Sequence, residues 1–232
     1  MIDFSQIKAL TFDCYGTLID WESGIIAALS PLFRQRGAQV FYDGTLLKEY
    51  ASAEAREEGR SYRPYRQVLA RVTRILAARF LATLEPGDDR TLADSIKNWP
   101  AFPDTPDALA LLAKRFRLIV LSNVDRDLFE TTRPHLGPAP LELISAEDVR
   151  SYKPAPAHFE AALRLTNLPA HNICHVAQSL YHDIATAGPL GFRTVWINRR
   201  GKKPGAGATP IATAVPDMRF STLQQLAEAI PS

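Results

Sequence analysis

A short apolar run ends in an aspartate and is followed at once by a glycine turn: Leu10-Thr11-Phe12-Asp13-Cys14-Tyr15-Gly16-Thr17-Leu18-Ile19-Asp20. Open α/β sheets bind their ligands at the carboxyl ends of the strands, which is where this reading puts the Asp13 carboxylate. With apolar neighbours and free backbone N–H groups around it, such an aspartate can act as a covalent nucleophile. Three more polar groups follow predicted strands or their turns: Ser122-Asn123, the lysine of Tyr152-Lys153-Pro154, and the stretch from Gln178 to Asp183. Singly, each has an ordinary reading as a helix cap, a turn residue or a solvated charge. Four of them at the functional ends of different strands point to one site.

The elements that must position these groups follow from hydrophobic spacing. Ile7–Phe12 reads as a buried parallel strand. Between about Ser23 and Asn98 the pattern is helical, over Ile25–Gln35, Thr45–Gly59, Tyr65–Thr83 and Arg90–Trp99, with Gly, Pro and Asp between segments. Alternation then resumes. Strands are expected at Leu118–Leu121, Leu143–Ser145, Ile173–Val176 and Thr194–Ile197. The intervening helices are Pro106–Arg115, Asp127–His135, Pro156–Leu165 and Asp183–Leu190, with a last helix over Leu223–Ile230. Strands alternating with helices predict an α/β fold with a doubly wound parallel sheet. The expected division is a core of residues 1–20 and 99–232 with a helical cap inserted at 21–98. Arg199–Thr209, rich in Gly, Pro and Lys, reads as a mobile surface loop, and no internal repeat is present.

Bulk properties limit the function classes. A chain of 232 residues accommodates one α/β domain plus a smaller insert. A net charge of +2 argues for no nucleic-acid partner, and acids elsewhere in the chain compensate the arginine-rich 56–79 stretch. No signal peptide or membrane span is expected. Two cysteines, Cys14 and Cys174, read as small buried residues in a reducing, cytoplasmic setting.

Asp13-x-Tyr15-Gly16-Thr17-Leu18, Ser122-Asn123, Tyr152-Lys153-Pro154 and the late Asp183 resemble the four motifs of the haloacid dehalogenase superfamily. The D-x-Y form and the Ser-Asn pair resemble its (S)-2-haloacid dehalogenase branch. The resemblance spans essentially the whole chain, and it implies a Rossmann-like core with a cap after the first motif.

Phosphatases of the superfamily carry an acid two places after the nucleophile; Tyr15 is far too weak an acid to replace it. They also hold Mg²⁺ through Gly-Asp-x-x-x-x-Asp, where this chain reads Ala177-Gln178-Ser179-Leu180-Tyr181-His182-Asp183, with one carboxylate replaced by an amide. No metal or other cofactor is therefore expected. A dehalogenase needs none, because halide leaves without a proton. The resemblance then implies that Asp13 attacks the halogen-bearing carbon of a short 2-haloacid and that water cleaves the resulting ester. Lys153 would balance Asp13, Thr17 would orient it, and Asp183 would help position the water. Ser122 and the backbone N–H groups of Cys14 and Tyr15 would hold the substrate carboxylate, and Asn123 would share the halide. Gln178 would also border the substrate, and Trp21 has two readings, pocket lining or hinge packing.

The branch uses a cap arginine to receive the halide, and the candidates are Arg56, Arg60 and Arg63, beside a Gly- and Pro-punctuated bend. Other positions depart from the pattern. Phe159 replaces a tyrosine, Gln178 and Leu180 replace a Ser and an Asn, and His182 stands at an often aromatic position, as a base or as a packed side chain. The alternatives to a dehalogenase are a phosphatase of the same superfamily and a binding protein that has lost turnover. The partner implied is a halogenated small molecule, with the chain a monomer or homodimer.

Overall fold

Four residues, Ala9–Phe12, form the central strand β1 because all four side chains are sealed from solvent. The computed structural model describes residues 2–203 and 205–230; Met1, Pro204, Pro231 and Ser232, although part of the expected core and loop segments, lie outside the described residues. The chain leaves β1 through a tight turn in which the Cys14 carbonyl accepts from the N–H groups of Thr17, Leu18 and Ile19. Gly16 takes φ +100° there, and a Cβ on it would stand 3.0 Å from the Trp21 indole nitrogen. A side chain is therefore excluded on both conformational and steric grounds.

Three long helices follow: α1 (Trp21–Gln35), α2 (Asp43–Glu58) and α3 (Tyr65–Arg79), then the short α4 (Thr91–Ser95). Asp20 caps α1, its carboxylate accepting from the Ser23 N–H at 3.2 Å. The start of α3 is capped from a distance: Asp125 accepts from the N–H groups of Tyr65 and Arg66 at 2.8 and 3.0 Å. The chain returns beside its exit, with Asp20 N–H donating to Pro100 O and Phe102 N–H to Leu18 O. Among the described residues, the segment between β1 and β2 contains helices and no extended strand.

The remaining elements are α5 (Thr105–Leu112), β2 (Arg117–Ser122), α6 (Arg126–Thr132), β3 (Leu141–Ser145), α7 (Ala146–Val149), α8 (Ala157–Thr166), β4 (Ile173–Ala177), α9 (Ala185–Ala187), β5 (Arg193–Ile197), β6 (Met218–Phe220) and α10 (Leu223–Ala229). All strand pairings are parallel, in the order β3-β2-β1-β4-β5-β6. Every strand thus presents its carboxyl end at one edge. Alternate strand residues enter two separate cores. Leu10, Phe12, Val120 and Val176 pack with Leu109, Phe129 and Leu226 on one face. Ala9, Ile119, Leu121 and Ile173 pack with Phe159, Ala162 and Ala187 on the other. Helices on both faces make the sheet doubly wound, as the alternation predicts.

Two expectations need correction, and one strand was not foreseen. Asp183–Leu190 is not one regular helix: Leu180–Ile184 forms a wide π-type turn, followed by the single turn of α9. The strand β6 is three residues long and carries no alternation a sequence window can register. The 199–209 segment is anchored rather than a free surface loop. Arg199 pairs with Asp104 at 2.7 Å, Arg200 pairs with Glu22, and Ala208 and Thr209 are buried.

Candidate active site

Asp13 follows β1, Ser122 and Asn123 close β2, Lys153 lies beyond β3 and α7, and Asp183 sits in the turn after β4. The parallel sheet brings them together. Lys153 Nζ donates to Asp13 Oδ1 at 2.9 Å, to Asp183 Oδ1 at 2.7 Å and to the Leu121 carbonyl at 2.9 Å. Thr17 Oγ1 donates to the other Asp13 oxygen at 2.6 Å and itself accepts from the Gln178 N–H at 2.8 Å. His175, on β4, donates from Nε2 to Asp183 Oδ1 (3.0 Å), and its Nδ1 shares a hydrogen bond with Thr11 Oγ1 (2.9 Å).

Electrostatics follow from burial. Desolvation pushes the Asp13 carboxyl above its usual range, and the nearby Asp183 adds to this; Lys153 and Thr17 oppose it. Burial acts against the Lys153 charge, yet Asp13 and Asp183 together raise its pKa. Burial also opposes Asp183, but Lys153 and His175 hold it well below the carboxylate range. The result is an ammonium clamped between two carboxylates. A divalent ion does not fit this donor set, because the Lys153 ammonium occupies the space between the two acids. Among the described residues no group of three or more His, Cys, Asp or Glu side chains is arranged to hold a metal.

A small, partly enclosed cavity opens above Asp13. Its core wall comprises Asp13, Tyr15, Ser122, Asn123 and Lys153, with Ser179, His182 and Thr209 beside them. The helical insert supplies Trp21, Glu54, Glu58 and Tyr65. Several donors around Asp13 are unused. Ser122 Oγ is sealed from solvent and has no partner, and the N–H groups of Cys14 and Tyr15 donate to no protein acceptor.

The sequence-derived candidates sort by position. Asp13, Tyr15, Trp21, Ser122, Asn123 and Lys153 line the cavity, while Thr17 and Asp183 touch its charged groups from behind. The Cys14 side chain is buried in the apolar core, which leaves only its N–H for a ligand. Tyr15 is tied down: its hydroxyl bonds to Thr132 Oγ1 at 2.7 Å, and burial raises its pKa well above the usual value. The Gln178 side chain lies outside the cavity lining, contrary to expectation; its backbone carbonyl accepts from Trp196 Nε1 at 2.8 Å. Asn123 has no donor left for a halide, because its amide donates to Glu58 Oε1 and to the Lys153 carbonyl at 3.2 and 3.1 Å.

The arginine expectation is also corrected. Arg56, Arg60 and Arg63 do not line the cavity. Arg56 is exposed, and Arg60 and Arg63 turn to Glu57. Two glutamates that sequence reasoning missed take the insert wall instead. Glu54 Oε1 accepts from the Tyr50 and Tyr65 hydroxyls at 2.6 and 2.5 Å. Burial raises Glu54 to about 7 and Glu58 well above its usual value, the latter reinforced by Glu54. The signal was the buried stripe of α2: Leu47, Tyr50 and Ala51 continue at helical spacing through Glu54 to Glu58.

Comparison with known proteins places the chain in a family. The family model for haloacid dehalogenase-like hydrolases matches residues 7–191. An (S)-2-haloacid dehalogenase of Pseudomonas putida is 30% identical over 218 residues, covering 88% of this chain and 92% of that one. One from Burkholderia cepacia is 28% identical over 225 residues, covering 91% and 90%. Among solved structures, the L-2-haloacid dehalogenase of Xanthobacter autotrophicus superposes with a TM-score of 0.78 at 18% identity, covering 96% of this chain and 97% of that one, a likeness of fold. The chain belongs to the haloacid dehalogenase-like hydrolase family.

Proposed function

We propose that the protein is a metal-independent hydrolytic dehalogenase that converts a short 2-haloalkanoic acid into a 2-hydroxy acid and halide, with the 21–98 helices as its cap. The observation that carries the reading is the Lys153 ammonium between Asp13 and Asp183. It leaves Asp13 charge-balanced, with one face turned to the cavity, and needs no ion to do so. The relatives that cover most of this chain are named for the same reaction class.

In this reading the substrate carboxylate accepts from Ser122 Oγ and the free N–H groups of Cys14 and Tyr15. Thr17 fixes one Asp13 oxygen and the other attacks the halogen-bearing carbon, forming an ester as the carbon–halogen bond breaks. Water then adds to the aspartyl carbonyl, and cleavage returns Asp13 with one solvent oxygen. The small cavity, walled by Tyr15, Trp21 and Tyr65, favours a short acid. The test is halide release from bromoacetate and L-2-chloropropionate, with and without chelator. Single turnover in heavy-oxygen water should place the label on Asp13 by mass spectrometry. An unlabelled Asp13 in a competent enzyme, or Mg²⁺-dependent phosphate release in its place, overturns the reading.

A further inference from the structure

In-line displacement sends the halide away from Asp13, and so away from the core wall of the cavity. Among the described residues the wall it meets contains no arginine; it contains Glu54 and Glu58. Against two ionised carboxylates a departing halide would be repelled. Among the described residues Lys153 is the only lysine or arginine lining the cavity, and both carboxylates of the core already engage it.

Where that wall meets the core, two polar atoms lack partners within hydrogen-bond reach and stand 3.8 Å apart: Glu58 Oε2 of the insert and His182 Nε2 of the turn after β4. His182 is more than nine-tenths buried, and its Nε2 is sealed without a partner. The tautomer follows from its neighbours. The His182 backbone N–H donates to Ser179 Oγ at 2.8 Å, which leaves the hydroxyl proton to donate to Nδ1 at 3.2 Å. The ring proton then sits on Nε2. On Glu58, Oε1 accepts from Asn123, so a proton on this carboxyl resides on Oε2. Both unpaired atoms therefore carry a hydrogen and converge on one place.

We propose that Glu58, as a neutral carboxylic acid, and His182, as a neutral imidazole, form a halide cradle that receives the leaving group in place of a cap arginine. The inference rests on the dehalogenase reading above. The electron pair of Asp13 forms the carbon–oxygen bond, the carbon–halogen pair departs on the halide, and both protons stay on Glu58 and His182 throughout. Groups facing Glu58 explain its neutrality. Burial acts first and Glu54 on the same helix second; Asp183 adds to them, while Asn123 and Lys153 oppose. Tyr50, Tyr65 and Tyr152 pack around it as neutral phenols, their pKa values raised by burial. Burial likewise lowers His182 to about 4, keeping it uncharged.

The experiment pairs turnover with bromide binding, read as tryptophan fluorescence quenching and as competitive inhibition, from pH 5.5 to 9.5. In wild type, bromide affinity and kcat/KM for bromoacetate should fall about tenfold per pH unit once Glu58 ionises. Glu58→Gln keeps an N–H donor and should stay within about tenfold of wild type at acid pH, keeping only the step near pH 7 that belongs to Glu54 and losing the steeper fall above it. His182→Phe should weaken bromide at every pH. Bromide affinity that ignores both pH and these variants, with turnover intact, overturns the cradle and leaves the dehalogenase reading standing. The predicted bromide pattern without turnover of any haloacid supports the cradle and sinks that reading.

Discussion

Lys153 Nζ stands 2.9 Å from Asp13 Oδ1 with its own side chain almost wholly sealed from solvent. A buried ion pair of this kind is expensive to break, since removing one partner leaves the other uncompensated. Lys153→Met should lower the unfolding free energy by about 3–5 kcal/mol and abolish turnover. Urea denaturation checks the first effect. Asp13→Asn should also abolish turnover but cost less stability, because Asp183 still pairs with the ammonium.

Thr17 serves two partners, donating to Asp13 and accepting from the Gln178 N–H. Thr17→Val should leave that N–H unsatisfied and the nucleophile loose. The expected cost is about 1–3 kcal/mol in stability. The loss should fall on kcat rather than KM, which steady-state kinetics on bromoacetate resolves.

Arg56→Ala and Arg60→Ala should each change kcat/KM by less than about threefold, since neither side chain lines the cavity. A loss of a hundredfold in either would mean that the insert closes further and swings an arginine inward when substrate binds.

His158 is buried against the Ser122 carbonyl at 3.2 Å, and desolvation, aided by Lys153, lowers its pKa to about 3. The unfolded chain takes up this proton near pH 6.5 and the folded chain does not until about 3. The stabilisation is therefore complete above pH 6.5 and is lost as pH falls, by at most about 1.4 kcal/mol per unit. His158→Gln lacks this dependence, so the stability gap between wild type and variant should narrow from pH 7 to pH 4. Urea midpoints at both pH values test it, and the comparison cancels the other titrating groups.

Gly24, in α1, has no room for a side chain: an added Cβ would approach the Trp99 ring to 2.4 Å. Trp99 in turn meets the Tyr15 ring edge-on at 5.7 Å. Gly24→Ala should destabilise the fold by about 1–3 kcal/mol through overpacking. It should also reduce turnover, because the displaced indole bears on the first motif; differential scanning calorimetry with an activity assay separates the two effects.

What the sequence made legible was the sheet edge. Asp13 and Ser122 could be placed because strands of apolar residues end at them, and Lys153 because its turn follows a third strand; a parallel sheet leaves those ends no other meeting place. The insert wall was illegible for a physical reason. Around α2 the chain reads Glu54-Ala55-Arg56-Glu57-Glu58, charged on every side, so periodicity does not say which face is buried. Packing decided it: the stripe from Leu47 through Tyr50 carries Glu54 and Glu58 inward, and the neighbouring Arg56 and Arg60 then face out. The 199–209 segment misled for a similar reason, as Gly and Lys suggest freedom while Arg199 and Arg200 fasten it to distant acids.

The Asn123 side chain grips the Lys153 backbone through both N–H and C=O and reaches Glu58 with the same amide. Any displacement of α2 would break the Glu58 bond to that amide, and the same amide carries the Lys153 backbone, so the helical insert and the lysine beside Asp13 are joined mechanically through one side chain.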